Sequence, residues 1–136
     1  MELKYILLIF ITHFIADFIF QSEEMAKGKS VENLQLLKHT FMYSFITFIC
    51  FFMMGLFEWV VDISYTLKPL NILLFTIITF IFHTITDYMT SRVVKQKFDN
   101  GEYGSDIPNL GAFTIIGFDQ VLHYVQLFLT FSLVFL

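Results

Sequence analysis

From Phe41 to Phe57 the chain carries no charged residue and is almost wholly apolar. A run of this kind approaches the roughly 20 residues that a helix needs to cross the hydrocarbon core of a bilayer. It has three companions, over about residues 2–21, 69–96 and 113–136 of a 136-residue chain. In hydrocarbon each backbone N–H and C=O must find its partner inside the segment, and an α-helix does this without help from neighbours. The sequence therefore predicts an all-α, polytopic membrane protein. Four transmembrane helices, at about 2–21, 34–61, 69–96 and 113–136, form one domain over residues 1–136 as two tandem helical hairpins. Hydrophobic residues make up 57% of the chain and charged ones 15%, with a mean hydropathy of +0.71, so a soluble fold would lack polar surface. The net charge of -4 and the lack of a basic cluster argue against nucleic acid as a partner. Cys50 lies within an apolar run and has no second cysteine to pair with.

The connections read as polar turns. Ser22 to Asn33 is the first, with Ser30 and Asn33 as expected caps of the second helix. Pro69 suits the first turn of the third helix. The stretch from Phe98 to Gly111, rich in Gly, Asn and Asp, is expected to be the mobile element. The first segment has no small-residue cleavage pattern after its apolar run and is expected to be retained.

What sets these helices apart is the polar residues they carry. His13 and Asp17 lie four residues apart, as do His83 and Asp87, and Asp119 and His123 repeat the spacing in reverse. On a helix that spacing puts both side chains on one face, one turn apart. His39 lies near the start of the second helix. An ionised Asp at a helix centre costs about 2.5–3.5 kcal/mol to insert, so these carboxylates must turn inward and be compensated. The segments His13-x-Ile-x-Asp-Phe and His83-x-Ile-x-Asp-Tyr are each followed by a basic loop, which reads as an internal parallel repeat.

Lys27, Lys29, Arg92, Lys95 and Lys97 occupy the first and third connections, whereas Lys4 and Lys68 stand almost alone at the other end. The positive-inside rule then sets both termini on the non-cytoplasmic side of a bacterial inner membrane. In that orientation the His and Asp residues of all four helices share the cytoplasmic half of the bilayer. Such alignment in depth points to a common site. Neutral imidazole and carboxylate are ligands for zinc, with manganese or iron as alternatives, and the lack of a thiolate favours a site with an open position. His13, Asp17, His39, His83, Asp87, Asp119 and His123 are the expected metal ligands. Asp119 and His123 are also the expected catalytic pair. Gln21, Gln120 and Gln126 fall to supporting positions, and Glu58, Trp59 and Asp62 to the far-side interface.

Together, His13-x3-Asp17-Phe18-x2-Gln21, His39, His83-x3-Asp87 and Phe118-Asp119-Gln120-x2-His123 resemble the DUF3307 family of small bacterial and phage membrane proteins. The resemblance spans nearly the whole chain and supports the fold and the choice of residues, but it implies no particular reaction. A looser similarity is to proteins labelled membrane-bound metal-dependent hydrolases.

The preferred expectation is a metal-dependent membrane hydrolase acting on a lipid or phosphoester, with membrane lipid as its partner and a homo-oligomer compatible with so small a bundle. Two rivals use the same residues differently. One is a divalent-cation or proton transporter; the other is a structural or interaction protein whose buried His/Asp network holds the helices together.

Overall fold

Local chemistry marks the ends of the elements. A computed structural model describes residues 1–61, 65–102 and 110–136, and no strand occurs among them. The helices are α1 (Leu3–Phe14), continued by a π-helical turn (Ile15–Ile19), α2 (Glu23–Gly28), α3 (Asn33–Val60), α4 (Pro69–Asp99) and α5 (Leu110–Phe135). Ser22 caps α2, its Oγ accepting the Met25 N–H at 3.2 Å. Pro69 opens α4, where its missing N–H costs nothing. Gly101, at φ +70°, closes α4: its N–H reaches Phe98 O at 2.9 Å and the Glu102 N–H reaches Lys97 O at 3.0 Å, a Schellman closure.

Several expectations need correction. The Ser22–Asn33 connection contains a helix, α2. Neither Ser30 nor Asn33 caps α3: Glu32 occupies that position without a side-chain bond, and Asn33 Oδ1 instead accepts from Arg92 Nη2 at 2.7 Å. Helix α4 runs past Gln96 to Asp99, so Phe98 is helical. The centre of the expected mobile connection, 103–109, lies outside the described residues, as does Asp62.

Among the described residues, three helices, Asn33–Val60, Pro69–Asp99 and Gly111–Phe135, are long and apolar enough to cross a membrane. The first segment was expected to be a fourth. Its α-helix ends at Phe14, the Phe20 N–H bonds back five residues to Ile15 O at 3.0 Å, and Ser22 then caps a new helix, so the rod is shorter than the other three.

α3 lies against α4, α4 against α5, and α1 against both α3 and α5, so the rods close into a ring; α2 packs on α3. The interior of the ring is divided by polarity. One half is an apolar cluster of Tyr5, Ile9, Phe51, Leu67, Ile72, Phe75, Leu127 and Phe131, with the Phe51 and Phe75 rings stacked at 4.7 Å. Gly55 is required here, because a methyl group at that position would lie 2.6 Å from Leu67 O. Glu58 closes this end and is only 1% exposed. It accepts from Tyr5 OH at 2.5 Å and from the Thr66 and Leu67 N–H groups at 3.0 and 3.1 Å, with Lys4 Nζ at 3.2 Å. Glu58 is thus a buried tie between α1, α3 and the loop before α4, whereas Trp59 is exposed. The other half of the interior is polar, and the outer surface carries Phe41, Phe45, Leu70 and Leu133. An apolar outer surface around an interior that is half polar suits a lipid surrounding better than water.

Candidate metal centre

Each rod brings one histidine to the polar half. His13, His83 and His123 are 0% exposed and His39 is 1% exposed, with Asp17, Asp87 and Asp119 buried among them. Asp17 sits in the π-helical turn, a distortion often found at functional sites.

Four atoms from three rods meet most closely. His39 Nε2 lies 3.1 Å from Asp17 Oδ1, 3.0 Å from Asp87 Oδ2 and 3.3 Å from His83 Nε2. His83 Nε2 lies 3.7 Å from each of the same two carboxylate oxygens. A tetrahedral cation about 2.0–2.1 Å from nitrogen and about 2.0–2.2 Å from oxygen would separate its ligand atoms by about 3.3–3.5 Å. The observed separations bracket that value. Hydrogen bonding alone serves these atoms poorly. If both imidazoles carry their proton on Nε2, two N–H groups face each other; if neither does, lone pairs face carboxylate oxygens; if one does, its single N–H serves one of three neighbouring acceptors and leaves the other lone pairs facing one another. Asp17 Oδ1 accepts no well-aligned hydrogen bond, although His39 Nε2 lies 3.1 Å away. A cation among the four would satisfy every lone pair directed there. The His83 ring is held by stacking, on Tyr43 at 3.8 Å and on His123 at 4.1 Å, while its Nδ1 has no hydrogen-bond partner.

A second group adjoins the first. His123 Nε2 lies 3.2 Å from Asp87 Oδ1 and 3.6 Å from Asp119 Oδ2. Ligand atoms of Asp87, Asp119 and His123 lie within 4.8 Å of one another, as do those of Asp17, His39, His83 and Asp87. Both groups can hold a metal ion.

His13 is placed differently. Its Nδ1 is 2.9 Å from Tyr43 OH and its Nε2 is 2.8 Å from Gln120 Oε1. Gln120 Nε2 donates to Asp17 Oδ2 and Asp119 Oδ2, both at 3.2 Å, so the amide oxygen must face His13. His13 therefore donates through Nε2, accepts from Tyr43, and has no lone pair free for a cation. It belongs to neither ligand group.

Lys29 enters the site from outside the rods. Its Nζ donates to Asp87 Oδ2 at 3.0 Å. Burial works against the ammonium charge, but Asp87 and Asp17 outweigh it and hold the Lys29 pKa above its ordinary value. Two contacts put the lysine there. Gly28 lets α2 approach α3, since a methyl group at that position would lie 2.6 Å from Gln35 Cγ. Arg92, over the Tyr88 ring at 3.7 Å, donates to Asn33 Oδ1 at 2.7 Å and to Lys29 O at 3.4 Å. With all three aspartates ionised, Lys29 leaves a surplus of two negative charges, which one divalent cation would neutralise.

A cavity of about 780 Å³ leads to the carboxylates. Asp17, Asp87 and Asp119 line it together with Lys29, Phe18 and Ile116, whereas His39 and His83 stand behind the carboxylates, away from its wall.

Sequence reasoning placed the histidines and aspartates but missed three partners. Lys29 was read with the basic loops, although its place just after a capped acidic turn was visible. Tyr43 stands four residues after His39, the same spacing as the His/Asp pairs. Thr90, which donates to Asp119 Oδ1 at 2.6 Å, carried no signal beyond being a hydroxyl in a membrane helix. Gln21 lines the cavity and Gln126 lies outside the site, against Thr79 and Thr130.

No curated protein and no solved structure matches the chain. The profile of one family matches residues 5–136, nearly its whole length. The chain belongs to the DUF3307 family, whose description is "protein of unknown function".

Proposed function

We propose that this protein is a metal-dependent hydrolase of the bacterial inner membrane that acts on a phosphoester in a lipid. The observation that carries the reading is the convergence of Asp17 Oδ1, His39 Nε2, His83 Nε2 and Asp87 Oδ2 on one point behind an open cavity. In this reading α1 with its π-helical turn is the fourth membrane segment, because it completes the ring. Both termini face away from the cytoplasm, and the cavity opens toward the cytoplasmic face, where the loop lysines lie.

A bound zinc, manganese or iron ion supplies Lewis acidity and makes water a nucleophile at neutral pH. The chain's own groups do the rest. Asp17, His39, His83 and Asp87 would hold the ion. His13 fixes Gln120, and Gln120 fixes Asp17 and Asp119. Asp119, which lines the cavity, and His123 behind it adjoin the ligand quartet and are the catalytic pair that would act on the attacking water. Lys29 offers a positive charge to a phosphate oxygen, and the apolar wall that includes Phe18 and Ile116 accepts acyl chains.

Transport is the less favoured use of the same residues, since the interior beyond the site is filled by Ile9, Phe51, Phe75 and Phe131, none more than 1% exposed. A purely structural network leaves Asp17 Oδ1 without a well-aligned hydrogen bond. The test is phosphate release from mixed micelles of phosphate-bearing lipids by detergent-purified protein with zinc, manganese or iron added. Release that requires the ion and disappears in Asp87→Asn, with membrane insertion intact, is expected. No release from any such lipid would remove hydrolysis from the account.

A further inference from the structure

We infer that the centre is binuclear, with Asp87 as the carboxylate shared between two cations and the second cation held by Asp87 Oδ1, Asp119 and His123 Nε2. The inference rests on the metal reading above and specifies how Asp119 and His123 act on water. Asp87 turns its two oxygens to different imidazoles: Oδ2 lies 3.0 Å from His39 Nε2 and Oδ1 lies 3.2 Å from His123 Nε2. Asp119 Oδ2 completes the second group at 3.6 Å from the same nitrogen. The two groups are in ring contact, with His83 stacked on His123 at 4.1 Å and 20°. Paired catalytic metals stand about 3.5–4 Å apart, a spacing that one bridging carboxylate spans.

The groups around the second position are built to hold it. Thr90 donates to Asp119 Oδ1 at 2.6 Å and Gln120 Nε2 to Asp119 Oδ2 at 3.2 Å. The same Gln120 nitrogen donates to Asp17 Oδ2 at 3.2 Å, so one amide orients a carboxylate from each group. The first position has four protein ligands, and both of its aspartates, Asp17 and Asp87, line the cavity while its histidines lie away from the wall. The second has three, and both of its aspartates line the cavity. Three protein ligands with an open fourth position are the arrangement of catalytic rather than structural sites.

Charge leads to the substrate class. One divalent ion neutralises Asp17, Asp87, Asp119 and Lys29 taken together. A second leaves the site with two positive charges at the end of the cavity, which favours an anionic oxygen group such as a phosphate over a neutral ester or amide. Nitrogen and carboxylate ligands without thiolate suit zinc or manganese at both positions.

The experiment is a manganese titration of the metal-stripped protein in detergent, with the free-ion EPR signal counting bound equivalents and the bound signal reporting exchange coupling. Wild type should bind two equivalents and show a coupled spectrum. Asp119→Asn, which keeps the side-chain shape, should bind one equivalent with an uncoupled spectrum; His39→Gln should lose the first position. Wild type and Asp119→Asn both binding one equivalent would overturn the second position and leave the first intact. Two equivalents retained in Asp119→Asn would also overturn it. No binding by wild type would overturn both, and a monodisperse elution profile for each variant would exclude misfolding as the cause.

Discussion

His13 and His83 begin the same short motif, yet the structure uses them in opposite ways. His83 directs Nε2 at two carboxylates, whereas His13 spends Nε2 on Gln120 and Nδ1 on Tyr43. Spacing tells which face of a helix a side chain shares; it does not tell which ring nitrogen meets which partner from another helix. That distinction depends on Gln120 and Tyr43, which come from α5 and α3. Gln120 is accordingly the residue whose loss should separate positioning from ligation. Gln120→Ala leaves the His13 Nε2–H without an acceptor and removes a donor from both Asp17 and Asp119. Metal affinity should fall about 10–100-fold while stoichiometry is preserved, as read by competition with a chelating dye. Unchanged affinity would show that the amide only fills space.

Among the elements, the long rods were legible because apolar runs and turn residues mark them, and the interruptions were not. The π-helical turn at Ile15–Ile19 changes the backbone register by one residue, which leaves no trace in hydropathy. Helix α2 is too short for a periodic signal, yet it delivers Lys29 to Asp87. Asn33 was read as a cap because caps are usually Asn or Ser, but the side chain of Arg92, distant in sequence, takes its oxygen. Close approaches between elements are equally hidden, and two glycines allow a controlled test. Gly55→Ala places a methyl group 2.6 Å from Leu67 O, against backbone that cannot turn aside. It should destabilise the fold by about 1–3 kcal/mol, as overpacking does. Gly117, in α5, has nothing within 4 Å of a methyl group, and Gly117→Ala should be neutral or stabilising by up to about 1 kcal/mol. Thermal unfolding in detergent compares the two, and equal effects would contradict the packing described.

The whole molecule is an apolar-coated ring with two unlike ends. Glu58 and the aromatic cluster close one end and fix the rods, while the His and Asp residues occupy the other beside an open cavity. Burying three aspartates in such a ring is costly unless a cation or a complete set of donors compensates them. Lys29 supplies one positive charge, and Asp17 Oδ1 remains without a well-aligned hydrogen bond. The central claim is that a metal ion supplies the remainder. Elemental analysis of the detergent-purified wild type beside His39→Ala and His13→Ala tests it most directly. The account predicts zinc, manganese or iron bound stoichiometrically to the wild type, at least one equivalent lost in His39→Ala, and all of it retained, though more weakly held, in His13→Ala. A wild-type protein that binds none of these ions, even after incubation with each, would contradict the account and leave the polar interior as a hydrogen-bonded network.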